Sequence, residues 1–202
     1  YPDTNAKITL DAQSTDNANT DALEKYIDMK ADVTINNLTL KKDGKIHPIC
    51  LPFSVSTSDD TPLKGAVIYR LSGAKMKDHE FAFTFKQVNE VTPGIPCFYR
   101  FTETGTDVQN PVFKDVVIEE YYGLVAEKEY DASTWSADDE ALELWGTFDS
   151  ESIDEVNREL YFLMDGDGIS LKPATLNAFG SYFYIASPTD EEGSSTVRSV
   201  SL

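Results

Sequence analysis

Short runs in which apolar and polar residues alternate, each closed by Gly, Pro, Asn or Asp, follow one another through most of this chain. A helix cannot use that pattern, because its buried face recurs every ~3.6 residues, whereas a strand sends alternate side chains to opposite faces. His79 to Val88 is the clearest run, with Phe81, Phe83 and Phe85 on one face and Ala82, Thr84 and Lys86 on the other, as in a strand buried on one side. Asp43-Gly44 suits a tight turn that needs positive φ, and Ile49, Leu51 and Phe53 beyond it share one face. This predicts a hairpin feeding a core strand. A spacer rich in Ser, Thr and Asp, then Thr61-Pro62-Leu63-Lys64-Gly65, separates it from a second strand, Ala66 to Leu71.

The remaining runs are Ala6 to Leu10, Ala31 to Lys41, Ile95 to Phe101, Pro111 to Ile118, Leu142 to Phe148, Glu159 to Met164, Ile169 to Leu171 and Ser181 to Ala186. In Ala31 to Lys41 the apolar phase slips by one across Asn36-Asn37, which predicts a bulge there. One helix is expected, Asp21 to Met29, where Asp21 and Glu24 have capping-box spacing and Leu23, Tyr26 and Ile27 share a face. Roughly ten short strands and almost no helix predict an all-β antiparallel sandwich of Greek-key or jelly-roll type. Residues 1–30 add a strand and the short helix to a core of 31–188, and 189–202 reads as a linker-like tail of the same single domain.

Composition narrows the partners. With 17 Lys and Arg against 35 Asp and Glu, the net charge of -18 repels phosphate backbones and anionic lipid faces, which excludes nucleic acid and membrane surfaces. No apolar run reaches the ~20 residues of a membrane-spanning helix. The chain begins at Tyr1 rather than Met, as it would after removal of a leader. Cys50 and Cys97 are too few for a disulfide scaffold. Both sit in apolar, strand-like segments, as buried thiols or, in an oxidising compartment, as a bridge between neighbouring strands.

Catalytic and cofactor signatures are wanting. A Ser-His-Asp arrangement would need His47 or His79, and no Gly-x-Ser-x-Gly elbow accompanies them. His47 and Cys50 have a ligand-like interval, but residues three apart on a strand point to opposite faces. Asp165-Gly166-Asp167-Gly168 has the look of a calcium loop. Read as an EF-hand, however, it puts Ser170 where Gly is needed and Leu176 where a bidentate Glu belongs, so a hairpin turn is expected. The acidic run around Asp138, Asp139, Glu140 and Glu143 offers carboxylates for general acid and base, yet glycoside hydrolysis needs two facing each other across about 5–10 Å. A solvated loop is the simpler expectation.

The long segment Glu119 to Ala141 carries Tyr121, Tyr122, Tyr130 and Trp135 among polar residues. Flat aromatic faces beside hydrogen-bonding groups are what sugars bind, which makes these four a candidate ligand-binding loop. The competing expectation is that Trp135 folds back over an open sheet edge. Trp145 is expected to be largely buried.

Thr39-Leu40-Lys41-Lys42-Asp43-Gly44-Lys45 followed by Ile49-Cys50-Leu51-Pro52-Phe53 resembles a motif of exported, adhesin-like surface proteins of Bacteroides-type gut bacteria. The similarity continues in order through Leu63-Lys64-Gly65-Ala66-Val67, Asn110-Pro111-Val112-Phe113-Lys114, Trp145-Gly146-Thr147-Phe148, Leu160-Tyr161-Phe162-Leu163 and Ala178-Phe179-Gly180-Ser181-Tyr182-Phe183. The chain departs from that pattern at Ile46, where the family has Trp, at His47-Pro48, where it has Asn-Thr, and at Cys97, where it has an aromatic. The resemblance implies a secreted or cell-surface β-sandwich that is part of a larger modular chain, and it carries no catalytic residues. The expectation is therefore a non-enzymatic, cofactor-free surface module for attachment or display, with a glycan or a host or bacterial surface protein as partner. The alternatives are a carbohydrate-binding module centred on Trp135 and, less simply, a carbohydrate-active hydrolase using paired carboxylates.

Overall fold

Eighteen strands and one α-helix make up residues 5–77, 80–120, 142–166, 168–185 and 199–201, the part of the chain that the computed structural model describes. In order they are β1 (Ala6–Asp11), α1 (Ala18–Glu24), β2 (Lys30–Asn36), β3 (Thr39–Leu40), β4 (His47–Ile49), β5 (Val55–Ser56) and β6 (Ala66–Lys77). There follow β7 (Glu80–Val88), β8 (Glu90–Val91), β9 (Cys97–Phe101), β10 (Val108–Gln109), β11 (Val112–Val117) and β12 (Leu142–Gly146). The last are β13 (Glu151–Ser152), β14 (Tyr161–Asp165), β15 (Gly168–Leu171), β16 (Thr175–Leu176), β17 (Ser181–Ile185) and β18 (Ser199–Ser201). The fold is an all-β sandwich. It has more strands than the roughly ten expected, because bends cut several apolar runs into pieces of two or three residues.

A five-stranded sheet in the order β18-β7-β6-β9-β4 lies at the centre, and the parity of its residues decides what each face covers. Leu71, Phe83 and Phe98 point one way and pack with Leu144, Phe162, Met164 and Phe183 from the four-stranded sheet β12-β17-β14-β15. Ala66, Ile68, Cys97, Tyr99 and Phe101 point the other way, into a larger cluster with Ile8, Leu10, Val33, Ile35 and Phe113 from the three-stranded sheet β1-β2-β11. β9 is thus apolar on both faces, which is why Cys97-Phe98-Tyr99 runs without a polar break.

All but two of the ladders are antiparallel. β1 pairs with β2 in parallel from Ala6↔Ala31 to Asp11↔Asn36, and a parallel pair needs a crossover. Residues 12–29, with α1, supply it. The helix lies earlier than the expected Asp21 to Met29, and its N-cap, Asn17 at φ 60°, makes no side-chain capping bond. The Asp21/Glu24 box is not used; Asp149, 6% exposed, caps the helix from across the chain. The Asn19 and Thr20 amides donate to its two carboxylate oxygens at 2.8 and 3.1 Å, and the Thr20 hydroxyl donates at 2.6 Å.

Two further expectations are corrected. Asp43-Gly44 does turn, with Gly44 at φ 79°, but its flanks do not form a hairpin: β3 pairs with β10 and β4 pairs with β9. The phase slip at Asn36-Asn37 is a change of sheet rather than a bulge. Asn37 adopts φ 60°, a left-handed conformation that Asn tolerates, and its amide donates to Asn110 Oδ1 at 2.8 Å. The bulges fall in β6, between Leu71 and Gly73, and in β11, between Phe113 and Val116. Asp165 and Gly168 close a two-residue hairpin between β14 and β15. Within 189–202, Ser199–Ser201 pairs in parallel with Glu80, Phe81 and Ala82 of β7.

Candidate functional site

Alternation in the four-stranded sheet has a second consequence. Leu144, Phe162 and Phe183 face the core, so Trp145, Tyr161, Tyr182 and Tyr184 lie on the opposite face of the sheet, where Trp145, Tyr161 and Tyr184 are half-buried and Tyr182 is buried. Register brings them together: Trp145 stands opposite Tyr182, and Tyr184 stands between Glu143 and Tyr161. Ring centroids are 5.1 Å apart for Tyr161 and Tyr184, 5.7 Å for Tyr161 and Tyr182, and 6.1 Å for Trp145 and Tyr184. The Trp145 indole N–H donates to Glu143 Oε2 at 2.5 Å, which pins the ring. Burial raises the Tyr161 phenol above its ordinary value, and Tyr184, Glu151 and Asp154 push it the same way. Burial, then Glu151 and Tyr161, raises Tyr182 as well. The face is therefore a patch of neutral aromatic rings edged by carboxylates.

A second cluster surrounds His47, which is 3% exposed. Its Nδ1 lies 2.5 Å from Asp165 Oδ1 and its Nε2 lies 2.8 Å from Asp43 Oδ1. The ring satisfies both carboxylates when both nitrogens carry a proton to donate. Lys41 Nζ is 3.6 Å from Asp165 Oδ2 and the Gly166 amide donates to the Ile46 carbonyl at 2.6 Å, so the β14–β15 hairpin is tied to the 41–47 turn by side-chain and backbone contacts alike. Burial acts to raise the Asp43 carboxyl, and the hydrogen bonds from His47 and the Lys45 amide, with the His47 charge, outweigh it, leaving it below its ordinary value. The Tyr99 hydroxyl accepts the Lys41 amide at 2.9 Å, and burial, with Asp165, Asp43 and Asp107, raises its phenol. Beside this cluster a cavity of about 250 Å³ opens between residues 37–41, β4 and residues 177–180.

Tyr121, Tyr122, Tyr130 and Trp135 lie outside the described residues, as do Asp138, Asp139 and Glu140. Cys50 and Cys97 are fully buried free thiols. Ile49, not Cys50, stands opposite Cys97, whose Sγ contacts the Ile49 carbonyl at 3.5 Å. Burial pushes the Cys97 thiol up to about 12 and the Cys50 thiol well above its ordinary value, so neither is a nucleophile at neutral pH. Trp145, expected to be largely buried by the segment before it, is half-buried on the outer face, and that segment lies outside the described residues.

The outer aromatic patch was missed because its four members sit on three strands whose adjacency is not local in sequence. Tyr182 and Tyr184 flanking Phe183 is the signal that could have found it. Asp165, expected only in a turn, is brought to His47 and Asp43 by the same hairpin. Among the described residues, no three His, Cys, Asp or Glu side chains are placed to hold a metal ion, and no helix is long and apolar enough to cross a membrane. The chain matches no protein-family model, no curated protein and no solved structure.

Proposed function

We propose that this chain is a non-catalytic module of an exported, adhesin-like surface protein, and that it attaches to glycans through the outer face carrying Trp145, Tyr184 and Tyr161. The observation that supports this reading is the cluster of rings on that face, with centroids 5.1–6.1 Å apart. Pyranose rings present flat C–H faces that pack on aromatic rings, while their hydroxyls donate to carboxylates such as Glu143 at the edge. A rigid sheet holds the rings in place before the ligand arrives, so little ordering entropy is lost on binding. The net charge of -18 and the acidic edge favour neutral glycans over sialylated or sulfated ones.

A glycan array followed by fluorescence titration tests this, since the chain has only two Trp. Saturable binding to neutral glycans that Trp145→Ala abolishes is the expected result. Loss in Trp135→Ala with Trp145→Ala intact would move the site to the 119–141 segment. Turnover of a bound glycan, abolished by a single Asp or Glu to amide change, would replace the binding module by a hydrolase. An array blank over neutral and acidic glycans alike would leave a host or bacterial surface protein as the partner.

A further inference from the structure

We propose that the cavity beside His47 is a separate binding site for a single neutral, polyhydroxylated ring of monosaccharide size. The inference does not depend on the outer aromatic face. At about 250 Å³ the cavity falls below the ~300–1,000 Å³ of pockets that take drug-sized molecules, so it accommodates one ring rather than a chain. Its wall is apolar at Leu40, Ile49 and Phe179, all essentially buried, and its rim is polar at Gln13, Thr39 and Asn177, all exposed. That division suits a ligand with a C–H face and a fringe of hydroxyls.

The charged groups on the rim argue for neutrality. His47 is engaged by Asp43 and Asp165, and Lys41 by Asp165, so an ionic ligand would have to break an existing pair. The side chains of Gln13, Thr39 and Asn177 make no hydrogen bond to any other described residue. Amide and hydroxyl groups both donate and accept, as sugar hydroxyls do, and the Asp165 carboxylate retains acceptor capacity beyond its two contacts. The wall also holds the most strained backbone near the cavity. Phe179 adopts φ 59°, a genuine outlier for a bulky residue. It is fixed there by its amide donating to the Thr147 carbonyl at 2.7 Å and its carbonyl accepting the Cys50 amide at 2.8 Å. Such strain persists where surrounding structure imposes it and concentrates at ligand sites.

The test is titration of the 15N-labelled chain with glucose, galactose, mannose, N-acetylglucosamine, myo-inositol and glucuronic acid, followed by amide shifts. Saturable shifts at residues 37–41 and 177–180 with at least one neutral compound, and none with glucuronic acid, are expected. The Gln13→Ala/Asn177→Ala double variant should weaken binding about tenfold, the loss of one or two hydrogen bonds, and Thr39→Trp, which fills the mouth from an exposed position, should block it. Trp145→Ala should leave these shifts unchanged, which separates this site from the outer face. Absence of saturation with every neutral compound, equal binding of glucuronic acid, or shifts that survive in both cavity variants overturns the proposal.

Discussion

Gly146 is the last residue of β12, where the strand passes directly over Cys50. A Cβ placed on it would lie 2.4 Å from Cys50 Sγ and 2.9 Å from Cys50 Cβ, and Cys50 is fully buried with no room to withdraw. Gly146→Ala should therefore destabilise by about 1–3 kcal/mol through overpacking, read as a lower urea midpoint with an unchanged slope. Asp11 is a different case. Hydrogen bonds from the Asn37 side chain and the Gln13 amide hold its carboxyl below its ordinary value, against a small opposing effect of burial. A depressed folded-state pKa means that the contribution is complete above the unfolded value of about 3.9 and lost as pH falls through the folded one. The stability difference between wild type and Asp11→Asn should thus be constant above about pH 5 and close below about pH 4. A difference that widens on acidification would contradict the sign. Neither effect was visible beforehand, since Gly146 meets Cys50 and Asp11 meets its larger partner, Asn37, far along the chain; only the Gln13 amide is local to Asp11.

The helix makes the same point with a larger unit. Local signals put a capping box at Asp21 and Glu24, yet α1 begins three residues earlier because Asp149 offers both carboxylate oxygens to its first turn. Asn19, also buried, locks the arrangement by donating to the carbonyls of Asp11 at 2.8 Å and Phe148 at 2.6 Å while accepting the Asp11 amide at 3.0 Å. One buried polar knot thereby joins β1, the helix and the turn after β12. Asp149→Ala should cost about 2 kcal/mol, the upper end for loss of an N-cap, because buried amides are left unpaired. Hydrogen exchange at Asn19 and Thr20 should speed up with it. Coupling with Asn19→Ala should be strongly non-additive, as expected within one network; simple additivity would show that the two residues act apart.

The central sheet shares its two faces between two apolar clusters, so neither cluster can melt without exposing a face of β6, β7 and β9. Phe98→Ala, at a side chain wholly buried on the side of the four-stranded sheet, should cost about 3–5 kcal/mol and leave unfolding a single transition by fluorescence and circular dichroism alike. Two separated transitions would mean that the layers fold independently. Most strands were legible in the chain itself: the Phe81, Phe83 and Phe85 alternation, the Asp165 to Gly168 turn and the apolar run of β9 all carry their conformation in neighbouring residues. What they carry is period and turn chemistry, which are local. Their partners were not legible, and neither were the two parallel pairings, the switch of sheet at Asn37 or the cap from Asp149. The aromatic face and the His47 cluster belong with these. Trp145, Tyr161 and Tyr184 become neighbours through the register of β12, β17 and β14, and His47 meets Asp165 only because β14 turns back beside β4. The sequence alone determined that this would be a chain of short strands with an acidic surface, because alternation, turns and charge are properties of nearby residues. Which side chains share a surface was left to the tertiary structure, because that depends on which strand lies beside which, a choice made by burying two faces of one sheet at once.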